Sequence, residues 1–195
     1  MIADFAAGMV LGLGVAAPVG PIGLLCIRRT LEHGFWAGVA GGAGTALADG
    51  LYAALAAFGI GAVTAILTAA QRPLQVVAIA ALLWLAVGAW RQKPGAEIAP
   101  SSHTSVFAQT FLLTLANPAT ILTFAAMFAG FAAGDAASAT ALVAGTFAGS
   151  LLWWIVLSGT VAALRRRLTP RALLWINRAA AAMFVGFAVL VALRL

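Results

Sequence analysis

Charge is what this chain has least of: only 8% of its 195 residues are Asp, Glu, Lys or Arg, and five of these are acidic. A soluble domain carries about a quarter charged residues, so a water-facing surface cannot be made from this composition. Cysteine is almost absent too. With Cys26 alone, neither a disulfide framework nor electron relay through a cysteine pair is available within one chain, and Cys26 reads as a small buried hydrophobe. No soluble stretch is long enough for a nucleotide-binding domain, and no phosphate loop follows a strand, which excludes an ATPase. An intramembrane enzyme needs paired acids, a serine with a base, or a metal cluster at helical spacing. One deep acid without a deep histidine supplies none of these, so no enzyme, metal or cofactor is expected.

What the chain has in abundance is hydrocarbon, at 64% hydrophobic residues. Six apolar runs are long enough to cross about 30 Å of lipid. They cover roughly residues 5 to 27, 35 to 60, 73 to 90, 106 to 131, 138 to 164 and 172 to 193. The fold expected is an all-α integral membrane protein in a single domain, 1–195. The first run reads as a retained helix rather than a signal peptide: its leader carries Asp4 and no base, and the bases follow the run.

The net charge of +6 might point to nucleic acid, but the positions of the bases decide against it. With six alternating spans, the loops after the first, third and fifth hold Arg28, Arg29, Arg91, Lys93, Arg165, Arg166, Arg167, Arg171 and Arg178, against Arg72 and Arg194 opposite. The positive-inside bias then puts those loops in the cytoplasm and both termini outside. The partner implied by the apolar runs is the lipid bilayer.

An offset of 100 matches Pro18 with Pro118, Gly34 with Gly134, Gly59 with Gly159 and Leu74 with Leu174. Three spans per half make the second half enter from the opposite face, an inverted repeat. The halves are 1–90 and 106–195, joined by the polar linker 91–105, in which His103 reads as solvated. Gly38, Gly42, Ala46, Gly145 and Gly149 have the fourfold spacing that lets helices in lipid approach closely. Glycine faces of this kind suit a homodimer as well as a monomer.

The first span is broken in "VAAPVGPIGLLCIRR", residues 15–29, where Pro18 and Pro21 remove donors and Gly20 and Gly23 loosen the turn. Carbonyls near Gly14 and Ala17 are left open. The fourth span repeats the device at Asn117 and Pro118, which opens the Thr114 carbonyl. An unsatisfied group in hydrocarbon costs several kcal/mol, so such breaks need protein, water or a ligand to cover them. They either shape packing or expose half-helix ends, which attract anions at N-termini and cations at carbonyls.

Asp49, near the middle of the second span, is the one deep acid. Its cost of at least about 2.5–3.5 kcal/mol directs it to the bundle interior, with a polar neighbour, a proton or a substrate cation as partner. Tyr52, one turn on, can reach Asp49 or a substrate. Trp153 and Trp154 either line a path or fill the space the glycines leave, and Asn177 reads as an interfacial cap. Together these residues suggest a zwitterion site. Its carboxylate end lies at the amides around Gly20 and Gly23, and its ammonium end at Asp49 and freed carbonyls.

"APVGPIGLL", "ALADGLYAALAAFG", "FLLTLANPATILTFAAMFAGF" and "GTFAGSLLWWIVLSG" resemble the lysine exporter (LysE/RhtB) family of bacterial amino-acid exporters across all six spans. The resemblance implies proton-coupled export of amino acids or related metabolites. It assigns Pro18, Gly20 and Pro21 to the first motif, Asp49 to the acidic position, and Asn117 with Pro118 to the fourth-span motif. Many members read Pro-Gly-Pro-Asn at the first motif; here Pro18, Val19, Gly20, Pro21, Ile22 and Gly23 lack the asparagine, so the chain resembles a less characterised branch. Export of a metal cation or other ion is the rival reading, for which Asn117 and the freed carbonyls offer oxygen ligands. A hard divalent ion usually takes more than one carboxylate, which a lone Asp49 does not offer.

Overall fold

A computed structural model describes residues 1–18, 20–58, 71–91, 102–117, 120, 124, 136–165 and 169–193. Among these, all regular structure is helical: α1 Ile2–Ala16, α2 Pro21–His33, α3 Phe35–Ala57, α4 Gln71–Arg91, α5 His103–Leu115, α6 Ala136–Arg165 and α7 Pro170–Ala192.

The first expected span is two helices rather than one bent rod. The α1 ladder closes with Ala17 N–H on the Leu13 carbonyl at 2.9 Å, and Pro18 has no N–H to continue it. The chain restarts from an extended Gly20, with Pro21 in the first turn of α2, where its fixed φ suits a helix start. The two axes meet at 83°. Next, Gly34 joins α2 to α3 at φ +91°, in the left-handed region that glycine alone enters without a β-carbon penalty. The fourth span begins earlier than its linker suggests. Ser102 caps α5 by accepting from the Ser105 N–H at 3.1 Å, so His103 opens a helix instead of lying in the loop. Residues 92–101 of the expected linker lie outside the described residues, as do Gly59 and Gly134 of the repeat matches and most of the fourth run beyond Asn117.

α6 packs against both α1 and α3; α3 also packs on α5 and α2, and α4 on α7. Glycines set the spacing of the first two pairings. A β-carbon at Gly145 would run into the Phe5 carbonyl, at Gly149 into the Met9 carbonyl and at Gly12 into the Thr146 carbonyl; one at Gly42 would run into the side chain of Trp154. The α4·α7 pair is aliphatic and aromatic instead, with Leu82, Leu85, Ala86 and Ala89 meeting Ala180, Ala181, Phe184 and Ala188.

Burial runs opposite to that of a water-soluble bundle. Thr30, Thr45, Asp49, Thr110, Thr114, Thr146, Ser150 and Ser158 are buried, while Val10, Leu51, Trp84, Val87, Ile155, Val156, Val189 and Leu190 are exposed. Water would not tolerate so much outward hydrocarbon; lipid does. Among the described residues, the stretch Ser138–Arg165 of α6 is long and apolar enough to cross a membrane unbroken, and α1 with α2 pass that test together as a bent pair.

Candidate functional site

Asp49 is 1% exposed, on the face of α3 turned to α6. Its Oδ2 accepts a hydrogen bond from Ser150 Oγ at 2.7 Å, and Ser150 is itself fully buried. Of the partners open to Asp49, the structure therefore supplies a polar neighbour. Among the described residues, no cationic side chain pairs with it. Ser150 sits beside Gly149, whose bare backbone lies on α1, so the seam that brings α6 inward also delivers the hydroxyl. Ser150 is the site residue that sequence reasoning missed. Its signal was present: Thr146, Ser150, Trp154 and Ser158 recur every four residues and are all buried, a polar stripe along one face of α6.

Trp154 fills the next position on that stripe. It belongs to one buried cluster with Ala46, one turn before Asp49, and with Ala16 and Cys26, on the two sides of the break between α1 and α2, and Ile22 packs against that cluster. The cluster thus connects the neighbourhood of Asp49 with the broken span. Around the break, Gly23 is buried and Gly20 and Pro21 are half-buried, while Pro18 is exposed. No side chain caps the N-terminus of α2, and a β-carbon built at Gly20 would meet no atom within 4 Å. Open space therefore adjoins an uncapped helix start.

Tyr52 does not turn to Asp49. Its hydroxyl donates to the Leu115 carbonyl at 2.7 Å, at the end of α5, and its ring stacks on Phe124 at 5.8 Å. The Thr114 carbonyl, expected to be open, accepts the Asn117 N–H at 3.1 Å. The break in the fourth span is thus covered by a side chain from α3 at the carbonyl one residue later. Asn117 is half-buried there, and its carbonyl accepts the Thr120 N–H at 3.1 Å; Pro118 lies outside the described residues.

The arginines that mark the first span's end are not loose surface charges. Arg28 Nε pairs with Glu32 at 2.6 Å, Arg29 approaches the same carboxylate at 3.5 Å, and the Glu32 side chain is 5% exposed. Arg28 also donates to the Leu85 carbonyl on α4, Arg29 to Gln109 on α5 and Arg165 of α6 to the Glu32 carbonyl. Arg178 of α7 lies over the Trp90 ring of α4 at 5.4 Å. Basic side chains therefore tie α4, α5 and α6 to α2, and α7 to α4.

Known proteins agree with this picture. The chain is 27% identical to "Putative amino acid efflux protein YcgF" of Bacillus subtilis (strain 168), covering 87% of this chain and 85% of the relative. No solved structure gives a significant match. The LysE type translocator family matches residues 13–195, from the last turn of α1 through the last helix, and the chain belongs to that family of membrane translocators.

Proposed function

We propose that the chain is a secondary active exporter that moves an amino acid or a close derivative out across the bacterial inner membrane, coupled to protons. The observation that carries this reading is Asp49: a carboxyl buried at the α3·α6 contact, one turn beyond Ala46, whose buried cluster reaches both flanks of a broken helix. The ammonium of the solute binds at Asp49, which also carries the coupled proton, and its carboxylate binds by the uncapped start of α2 at Gly20, Pro21 and Gly23. Pro18 keeps that start open, and Tyr52 and Asn117 form the opposite wall. The relative's name supports this substrate class.

The whole chain forms one transport domain of two inverted halves. The pairing of helices supports the repeat: exchanging the halves maps α1·α6 onto α5·α3 and leaves α3·α6 and α4·α7 unchanged. Grouping of Arg28, Arg29, Arg165 and Arg178 at one end of the bundle supports their shared cytoplasmic side. Around Asp49, the oxygen donor is a serine and not a second carboxylate, which favours an ammonium over a divalent cation.

Counterflow in proteoliposomes against a panel of amino acids and divalent metal ions, at two pH values, tests the proposal. Exchange of an amino acid, lost in Asp49→Asn with insertion intact, is the expected outcome. Exchange of metal ions but of no amino acid overturns it, and full activity of Asp49→Asn removes the carboxylate from the mechanism.

A further inference from the structure

The indole of Trp154 is 3% exposed, and its Nε1–H has no hydrogen-bond partner. A buried donor left unpaired is costly, and neighbouring residues show how readily this bundle satisfies such groups: Thr146, Ser150, Thr110 and Thr30 each donate from their hydroxyls at 2.7 to 2.9 Å. Packing alone would be met by phenylalanine, so the unused N–H calls for its own explanation. Three features surround it. Trp154 belongs to one buried cluster with Ala16, at the end of α1, and Ile22 of α2 packs against that cluster; among the described residues, no side chain caps the start of α2, and the position a Gly20 β-carbon would take is empty to 4 Å.

Resting on the exporter reading above, we propose that Trp154 is the specificity-determining residue for the solute's carboxylate, with Nε1–H donating to it beside the N-terminus of α2. An indole nitrogen is a donor only, so it selects an acceptor and rejects an ammonium. The spacing fits an α-amino acid. Trp154 follows Ser150 by four residues, a rise of about 6 Å along α6, and helical side chains lean back toward the N-terminus, which carries the indole toward the Asp49–Ser150 pair. That interval suits a solute whose ammonium and carboxylate are one carbon apart, one end on Asp49 and the other on the indole. Ser158, a further turn along and 1% exposed with an unpartnered Oγ, continues the stripe toward the end of the bundle held by Glu32.

The test compares each amino acid with its decarboxylated amine, such as L-leucine with isoamylamine and L-lysine with cadaverine, by counterflow with the full chain in proteoliposomes at pH 8. The wild type should favour the amino acid by about tenfold or more in KM, as a donor to a charged group is worth. Trp154→Phe should raise the amino-acid KM to that of the amine and leave the amine's own KM unchanged. Trp154→His, similar in volume to phenylalanine but with a ring N–H, should recover part of the preference. Equal loss in the two variants would mean that the ring only packs, and overturns the proposal. So does a wild type that exchanges amine and amino acid equally, a result that needs no variant to fold. Absence of amino-acid exchange in the wild type overturns the exporter reading itself, whereas normal exchange with an unaltered preference in Trp154→Phe overturns only the role of Trp154.

Discussion

The hydrogen bond from Ser150 to Asp49 can be weighed by a double-mutant cycle of Asp49→Ala and Ser150→Ala. Both residues are sealed, at 1% and 0% exposure, and the bond is 2.7 Å long, so water neither screens nor replaces it. A hydrogen bond between neutral groups contributes about 0.5–1.5 kcal/mol and one to a charged group about 1.5–3 kcal/mol. The coupling energy therefore reads the state of the carboxyl: above about 1.5 kcal/mol it is ionised at rest, below that it holds a proton. The single variants should differ in kind. Ser150→Ala strips the donor from a buried carboxyl, which costs the carboxyl's desolvation as well as the bond. Asp49→Ala leaves a hydroxyl that can turn back to the carbonyl four residues earlier, as Thr146 does to Leu142. Reversible unfolding in mixed micelles, followed by tryptophan fluorescence, supplies all four free energies. Additivity within about 0.5 kcal/mol would refute a direct Asp49–Ser150 hydrogen bond.

Other perturbations address the frame around the pair. Gly149→Val should destabilise the bundle by about 1–3 kcal/mol or more, because its β-carbon lands on the Met9 carbonyl and α1 must move away; thermal unfolding in detergent measures it. Tyr52→Phe keeps the stacking on Phe124 but removes the bond to Leu115, a loss of about 0.5–1.5 kcal/mol that should appear as slower counterflow rather than as failure to fold. Glu32→Gln leaves Arg28 and Arg29 without their shared carboxylate in a site whose Glu32 side chain is 5% exposed, so stability should fall by about 3–5 kcal/mol. Because these charges are largely buried, added salt should change that loss little.

The parts of this architecture that were legible in the sequence are those written in backbone chemistry. Pro18 and Pro21 announce the end of α1 and the start of α2, Gly34 the corner into α3, and the spaced glycines the close seams; each changes what the main chain can do whatever its neighbours are. Asp49 was legible through cost alone. The residues hidden from the sequence are those whose meaning depends on a partner far along the chain. Ser150 is an ordinary helical serine until α3 brings a carboxyl to it, 101 positions away. Tyr52 stood at the correct turn, yet its partner is the Leu115 carbonyl, since the orphan acceptors at a helix end compete for any donor within reach. Glu32 gave a local hint, four residues after Arg28, but nothing local reveals that Arg165 also closes on it.

The α3·α6 contact also bears on why a repeated protein would keep one acid and not two. At the hundred-residue offset, Asp49 corresponds to Gly149 and Ser150 to Gly50. In the proposed inverted repeat, an axis exchanging the halves through this contact turns the Asp49–Ser150 diagonal onto the Gly149–Gly50 diagonal. The first diagonal holds a hydrogen bond, while on the second Gly149 accepts the backbone of Met9 and Gly50 faces Phe147, whose side chain a β-carbon would approach to 3.3 Å. An aspartate on both diagonals would set two acids at one depth in lipid, each resisting the other's ionisation and each carrying its own insertion cost. Glycine on the second diagonal avoids that repulsion and lets the helices close around the first. In the proposed inverted repeat a group close to the axis lies at nearly the same distance from both membrane faces, so one carboxyl can meet a solute from inside and release it outside without travelling with it. In the proposed exporter, the asymmetry between Asp49 and Gly149 is what makes a symmetric frame usable: the halves exchange conformations around a single charge that stays in place.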